Sequence, residues 1–169
     1  MRIKLIFFVV ALLTSLANAA PAHVHGVGRL DIVIDGTQLS ISLELPLESV
    51  VGFEHPPRTI KEKAAIAAMS NTLNDAASLF SPTIAAGCQL KSAHVNIPFS
   101  ATTRSKRTDD HADIDADYVF QCLQPSALKS LETTIFKSFP RLMQLDASRA
   151  GPTGQGGGRL TAKTPNVRW

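Results

Sequence analysis

Methionine, cysteine and long apolar runs are all scarce in this 169-residue chain, and neither sign of charge dominates it. The longest apolar run, Leu5 to Leu13, stops at Thr14 and Ser15, short of the roughly 20 residues that a membrane-spanning helix needs. Lys and Arg number 17 against 14 Asp and Glu, a formal charge of +3, and two of those cations, Arg2 and Lys4, precede the apolar run. So balanced a chain offers no broad field for nucleic acid or an anionic membrane. No Gly-x-Ser-x-Gly, His-Glu-x-x-His or phosphate-binding glycine loop occurs, and the glycines at 154–158 lack the lysine and the strand-to-helix setting that such a loop requires. Beyond Met1 there are only Met69 and Met143, too few for the thioether clusters that store copper(I).

What the N-terminus does contain is a basic start, the short apolar run and the small residues Ala17-Asn18-Ala19. Together they read as a secretory signal peptide over residues 1–19. Cleavage after Ala20 is disfavoured by Pro21 at the new terminus. The remaining residues, 20–169, carry a net charge of +1, and no cysteine follows the cleavage site to take a lipid anchor. With 44% hydrophobic and 18% charged residues, the composition suits one globular domain and excludes a disordered, coiled-coil, collagen-like or multi-span protein. Thiols exported to an oxidising compartment pair, so Cys88 and Cys122 are expected to form a disulfide. A reactive thiol or a two-cysteine metal site is the alternative.

Leu30, Ile32 and Ile34 alternate ahead of an Asp35-Gly36 turn, and Leu39, Ile41, Leu43, Leu45 and Leu47 alternate after it, which predicts a β-hairpin. Pro46 ends the second strand or confines it to an edge. Thr59-x-x-Glu62 is a capping box that opens a helix with an apolar stripe of Ile66, Met69, Leu73, Ala76 and Phe80. Residues 88–99 and 112–122 alternate as two further strands, the first with Ala93, Val95, Ile97 and Phe99 inward, the second with Ile114, Ala116, Tyr118 and Phe120 inward. Leu128, Leu131, Ile135 and Phe139, after Pro125 and before Pro140, predict a second helix. Residues 142–147 and 159–161 read as weaker strands around a glycine-rich turn at 151–158. The expected fold is therefore α+β, in the order β-β-α-β-β-α-β-β, with three antiparallel hairpins and both helices on one face. One mismatch stands out: Cys88 has even parity while the apolar residues of its strand are odd, so either Cys88 precedes the strand or a bulge resets the phase.

Histidine carries the chemistry. In His23-Val24-His25-Gly26 the period of two puts both imidazoles on one side of an extended chain, as two ligands of one tetrahedral ion or as two solvated rings. His111, Asp113, Asp115 and Asp117 share one strand face, where like charges repel unless a cation sits among them. A divalent ion, the loop cations Arg104, Lys106 and Arg107, or water and salt could meet that need. His94 points to the same acidic face in the simplest hairpin. His55, between Glu54 and two prolines, is a ligand or a loop hydrogen-bonder. Imidazole with carboxylate suits Zn²⁺.

The order of these motifs, His-x-His-Gly at 23–26, Gly-Phe-Glu-His at 52–55, paired cysteines, His-x-Asp at 111–113, Tyr-x-Phe-x-Cys at 118–122 and a terminal Trp169, resembles the zinc-regulated, ZrgA-like periplasmic zinc-binding proteins of Gram-negative bacteria. The resemblance spans the whole mature chain. It implies a periplasmic accessory to zinc acquisition that captures Zn²⁺ and passes it to a transporter or its periplasmic binding protein, or holds it in reserve. Carried over by position, the matching residues are His23, His25, Glu54, His55, His111 and Asp113. Relatives commonly carry a His-, Asp- and Glu-rich loop before His111, whereas this chain has SATTRSKRTDDHAD, which implies reduced capacity.

Two readings from other classes stand beside it: a metal-free periplasmic protein-interaction module, and a zinc hydrolase using Glu54 as general base, which would need an open coordination position and a substrate cleft. Ligating imidazoles must be neutral, so Zn²⁺ affinity is expected to fall below about pH 6.5. Zinc titrations at about pH 7.5 and 5.5 check this.

Overall fold

The computed structural model describes residues 24–99 and 112–169. The expected signal peptide, His23 and His111 lie outside the described residues, as do the loop cations at 104, 106 and 107. The first hairpin joins β1 (Val27–Asp35) to β2 (Gln38–Pro46), and its two turn residues are Gly36 and Thr37, one position later than Asp35-Gly36. Leu30, Ile32, Leu39, Ile41, Leu43 and Leu45 are all buried, because period-two alternation sends every second side chain to the same face.

Pro46 does end β2, but not at an edge. That strand sits inside a six-stranded sheet of order β4-β5-β2-β1-β7-β8, completed by β4 (Cys88–Asn96), β5 (Asp113–Cys122), β7 (Gln144–Gly151) and β8 (Gly154–Leu160). All three expected hairpins are present. They join through antiparallel pairing of β2 with β5 and parallel pairing of β1 with β7. A smaller sheet, β3 (Phe80–Pro82), β6 (Ser130–Thr133) and β9 (Asn166–Arg168), packs with the helices on the inner face.

The capping box forms as expected and starts α2 (Ile60–Asn74): the Glu62 amide donates to Thr59 Oγ1 at 3.1 Å, and the Thr59 amide donates back to Glu62 Oε2 at 2.9 Å. Met69 and Leu73 of the stripe are buried in α2, whereas Ala76 lies in the short α3 (Ala76–Leu79) and Phe80 opens β3. Tyr118 ties the layers together, its hydroxyl donating to Leu73 O at 2.9 Å and its ring 5.4 Å from that of Phe80. Burial, and to a smaller degree the neighbouring Asp117 carboxylate, push the phenol well above its ordinary value.

The second helix is not formed. Residues 125–139 fold instead as a 3₁₀ turn at Pro125–Ala127, strand β6 and the single turn α4 (Ile135–Ser138). Leu131 and Thr133 are buried while Glu132 is exposed, so the period of two prevails over the helical spacing once β3 and β9 supply partners on both sides. The glycine-rich stretch is likewise mostly strand: only Pro152 and Thr153 turn between β7 and β8. A Cβ at Gly157 would stand 2.6 Å from the Ala147 carbonyl, which is why this strand can run so close to its neighbour. The terminal Trp169 is structural, donating through Nε1 to Leu128 O at 2.8 Å beneath the Arg149 guanidinium.

A bulge resolves the parity mismatch. Cys88 stands opposite Cys122 and Leu90 opposite Phe120, then the register slips so that Ser92 meets Val119, with Lys91 as the extra residue. Cys88 and Leu90 therefore pack inward before the slip, and Ala93 and Val95 after it. The strand ends at Asn96, and Phe99 is exposed rather than buried. Cys88 and Cys122 form a disulfide across 34 residues. Replacing both by serine is expected to lower stability by roughly 3 to 4 kcal/mol, the loop-closure value for that separation, as read by urea denaturation of the oxidised parent and the variant.

Candidate functional site

One end of the large sheet gathers several of the residues singled out by sequence. Because Pro46 cannot extend the ladder, the chain turns there into α1 (Leu47–Val51), whose Leu47, Ser49 and Val50 are buried and whose first turn carries Glu48. The Leu47 amide donates to Ala112 O at 2.8 Å, and Asp113, with its Oδ1 buried, pairs with Pro46, so β5 enters beside α1. The Gly26 amide donates to Ser49 Oγ at 2.8 Å, which fixes the start of the described chain to the same helix. Gly52 then caps α1 with φ +88°, its amide donating to Glu48 O at 2.8 Å. That left-handed conformation suits glycine and directs Phe53 and Glu54 back towards His25.

As a result His25 lies between two carboxylates. Its Nδ1 is 3.6 Å from Glu48 Oε2 and its Nε2 is 3.9 Å from Glu54 Oε1. The His25 side chain is 61% exposed, with Glu48 at 33% and Glu54 at 22%. Glu54 was anticipated; Glu48 was not, since nothing in LPLESV marks it as more than a polar helix residue.

His55 belongs to a neighbouring arrangement. Its Nε2 is 4.0 Å from Glu62 Oε1, its Nδ1 is 3.0 Å from Pro56 O, and its ring lies 5.1 Å from that of Phe53. Glu62 is committed to the helix start, with Oε2 accepting from the Arg58 amide at 2.6 Å as well as from Thr59. The Thr59 and Arg58 amides, with a smaller contribution from His55, hold its carboxyl below the ordinary value of 4.5.

His94 stands elsewhere. It pairs with Asp117, which is opposite Ser42, four residues along β2 from Pro46 and so ~13 Å from that end of the sheet. As expected, it shares the acidic face: a shallow groove of about 420 Å³ holds His94 with Asp31, Glu44, Asp115, Asp117 and Arg29. Hydroxyls temper the repulsion there, with Ser42 donating to Asp117 at 2.6 Å and Ser148 donating to Asp31.

Among the described residues, no group of three or more His, Cys, Asp or Glu side chains converges to hold a metal ion. The geometry at His25 gives the reason. Its two carboxylates approach different ring nitrogens, and the in-plane lone-pair directions of those nitrogens diverge, so one ion can be shared with only one carboxylate. The described residues thus supply a pair of donors and a third group beside it. No helix among the described residues is long and apolar enough to cross a membrane.

A family model described as "ZrgA family zinc uptake protein" matches residues 22–169, a range that covers every described element. No curated protein matches the chain.

A carboxylate whose value is depressed in the fold stabilises it above the unfolded value, and that contribution is lost as the pH falls through the folded one. Wild type is therefore expected to exceed Glu62→Gln in melting temperature at about pH 7, and the difference is expected to shrink as the pH falls below the ordinary value of 4.5. Thermal melts across that range check the outcome.

Proposed function

Because the chain belongs to the ZrgA family of zinc uptake proteins, we propose that it is exported to the periplasm, binds Zn²⁺ there as cargo, and delivers it to a zinc transporter or that transporter's periplasmic binding protein. The family is one of uptake proteins rather than enzymes. The observation that carries the reading is the convergence of His25 with Glu54, 29 positions apart in the chain, at the end of the sheet where α1 begins. Imidazole and carboxylate are the donors a neutral-pH zinc site uses.

His23 and His111 are the donors proposed to complete the site. Both lie outside the described residues, but the described chain beside each is anchored at α1: Gly26 to Ser49, and Ala112 to Leu47. Asp113 enters at the same end, and His55 is the immediate neighbour of Glu54. His94, on the acidic groove, is assigned no part in this site. With one histidine in the 100–111 loop, the protein holds few ions and acts as a carrier more than a reservoir. The disulfide between Cys88 and Cys122 accords with export to an oxidising compartment.

Isothermal titration of metal-free protein with Zn²⁺ at neutral pH is expected to show one ion per chain, with affinity reduced at least about tenfold in His25→Ala, the loss of one ligand being worth 1.4 kcal/mol or more. No heat and no stoichiometric uptake by wild type would overturn the proposal, and would favour a metal-free interaction module.

A further inference from the structure

Strand β8 leaves one edge of the six-stranded sheet open, and we infer that this edge pairs antiparallel with β8 of a second copy of the chain, joining the two sheets into one.

The register shows which groups are open. The Pro152-Thr153 turn makes Gly151 and Gly154 a hydrogen-bonded pair, and bonded pairs then recur at every second position, Arg149 with Gly156 and Ala147 with Gly158. The Gln144 amide donates to Gly26 O at 3.0 Å, so the even residues of β7 serve β1 and the odd ones serve β8. Gln155, Gly157 and Arg159 therefore turn their N–H and C=O groups away from β7, to the side where, among the described residues, the sheet has no further strand. Residues 154–159 are all exposed. Three donors and three acceptors in a row form a template for another strand.

The two edges of the sheet differ in how they are guarded. At β4 the ladder is broken by a bulge at Lys91, and a bulge and a lysine are devices that discourage pairing between edges. Strand β8 has neither: its register with β7 runs unbroken from Gly151 to Leu145, it contains no proline, and Arg159 is its one charged residue.

A second copy fits this edge because the strand is self-complementary about Gly157. In that register Gly157 meets Gly157 of the second copy, Gln155 meets its Arg159, and Arg159 meets its Gln155. All the open groups are then used, in three pairs that each exchange two hydrogen bonds. The contact is isologous, as a two-fold dimer requires, and an axis normal to the sheet keeps both polar faces on one side. The charges also fit. The two arginines stand four residues apart along the seam, ~14 Å, each opposite a neutral amide and each 3.9 Å from Asp146 of its own chain. A seam limited to one strand of each copy is at the small end of protein interfaces, so association is expected between about 10 μM and 1 mM.

The test uses the purified, disulfide-bonded protein with a chelator present, so that no Zn²⁺ bridges the copies, as wild type, Gln155→Arg and Gln155→Glu. Position 155 is chosen because it is exposed, whereas a Cβ at Gly157 would stand 2.6 Å from the Ala147 carbonyl. Thermal melts of both variants are expected to match wild type. Sedimentation of wild type over that concentration range is expected to show a monomer passing into a dimer. Gln155→Arg sets like charges opposite each other twice and should weaken the dimer about 2- to 30-fold, and Gln155→Glu should strengthen it by a similar factor. Hydrogen exchange at the Gln155, Gly157 and Arg159 amides should slow as the concentration rises. A monomer throughout would overturn the inference, leaving the edge to a strand of a different protein. Equal association in all three proteins, or association that leaves those amides unprotected, would overturn it by placing the contact on another surface.

Discussion

One-sided burial of β1, β2 and β5 is the constraint from which the rest of the structure follows. Leu30, Ile32, Leu39, Ile41, Leu43, Leu45, Ile114, Ala116, Tyr118 and Phe120 form one apolar surface, and the remaining elements are placed by the need to cover it. Each side chain of Leu or Phe size removed from water contributes on the order of 1.5 to 3 kcal/mol. A slip of one residue in any of these strands would reverse both faces together. The Lys91 bulge shows how firmly that condition holds: rather than turn Cys88 or Val95 outward, the edge strand accommodates an extra residue.

The polar consequences appear on the outer face and at the end of the sheet. Alternation that buries Ile114 and Ala116 necessarily presents Asp113, Asp115 and Asp117 on the opposite side, beside Glu44 and Asp31 of the neighbouring strands. Serine hydroxyls and Arg29 lie among them. At the end, Pro46 stops the ladder and commits the chain to α1. The short helix then gathers the segments around residues 25, 48, 54 and 112. The histidine–carboxylate site is thus a product of where a central strand terminates, which explains why its members come from three separate stretches of sequence. The site lies at the rim of the sheet, and its imidazole is more than half exposed.

Much of this was legible beforehand. The alternation of β1 and β2, the Thr59–Glu62 box, the disulfide and the inward set of β5 all rest on local periodicity or on the expectation that thiols pair in an oxidising compartment. The segment from Leu128 to Phe139 fits two periods at once: Leu131, Ile135 and Phe139 satisfy a helical spacing, while Leu131, Thr133 and Ile135 satisfy an alternating one. Only the presence of β3 and β9 as neighbours selects between them. Glycine disfavours strands, which makes Gly156 to Gly158 look like turn, yet β7 offers them a ladder, and at Gly157 the backbones approach more closely than a side chain would permit.

Sequence by itself determined the α+β class, the phase of β1, β2 and β5, the helix start at Thr59 and the residue types suited to zinc, since each depends on neighbours a few positions away. Tertiary structure alone decided that β1 runs parallel to β7, that His94 stands far from His25, and that Glu48 joins His25 and Glu54. Those outcomes depend on which strands share edges and where a central strand ends. Such contacts between distant segments are fixed by shape and burial across the whole core, and no local spacing encodes them.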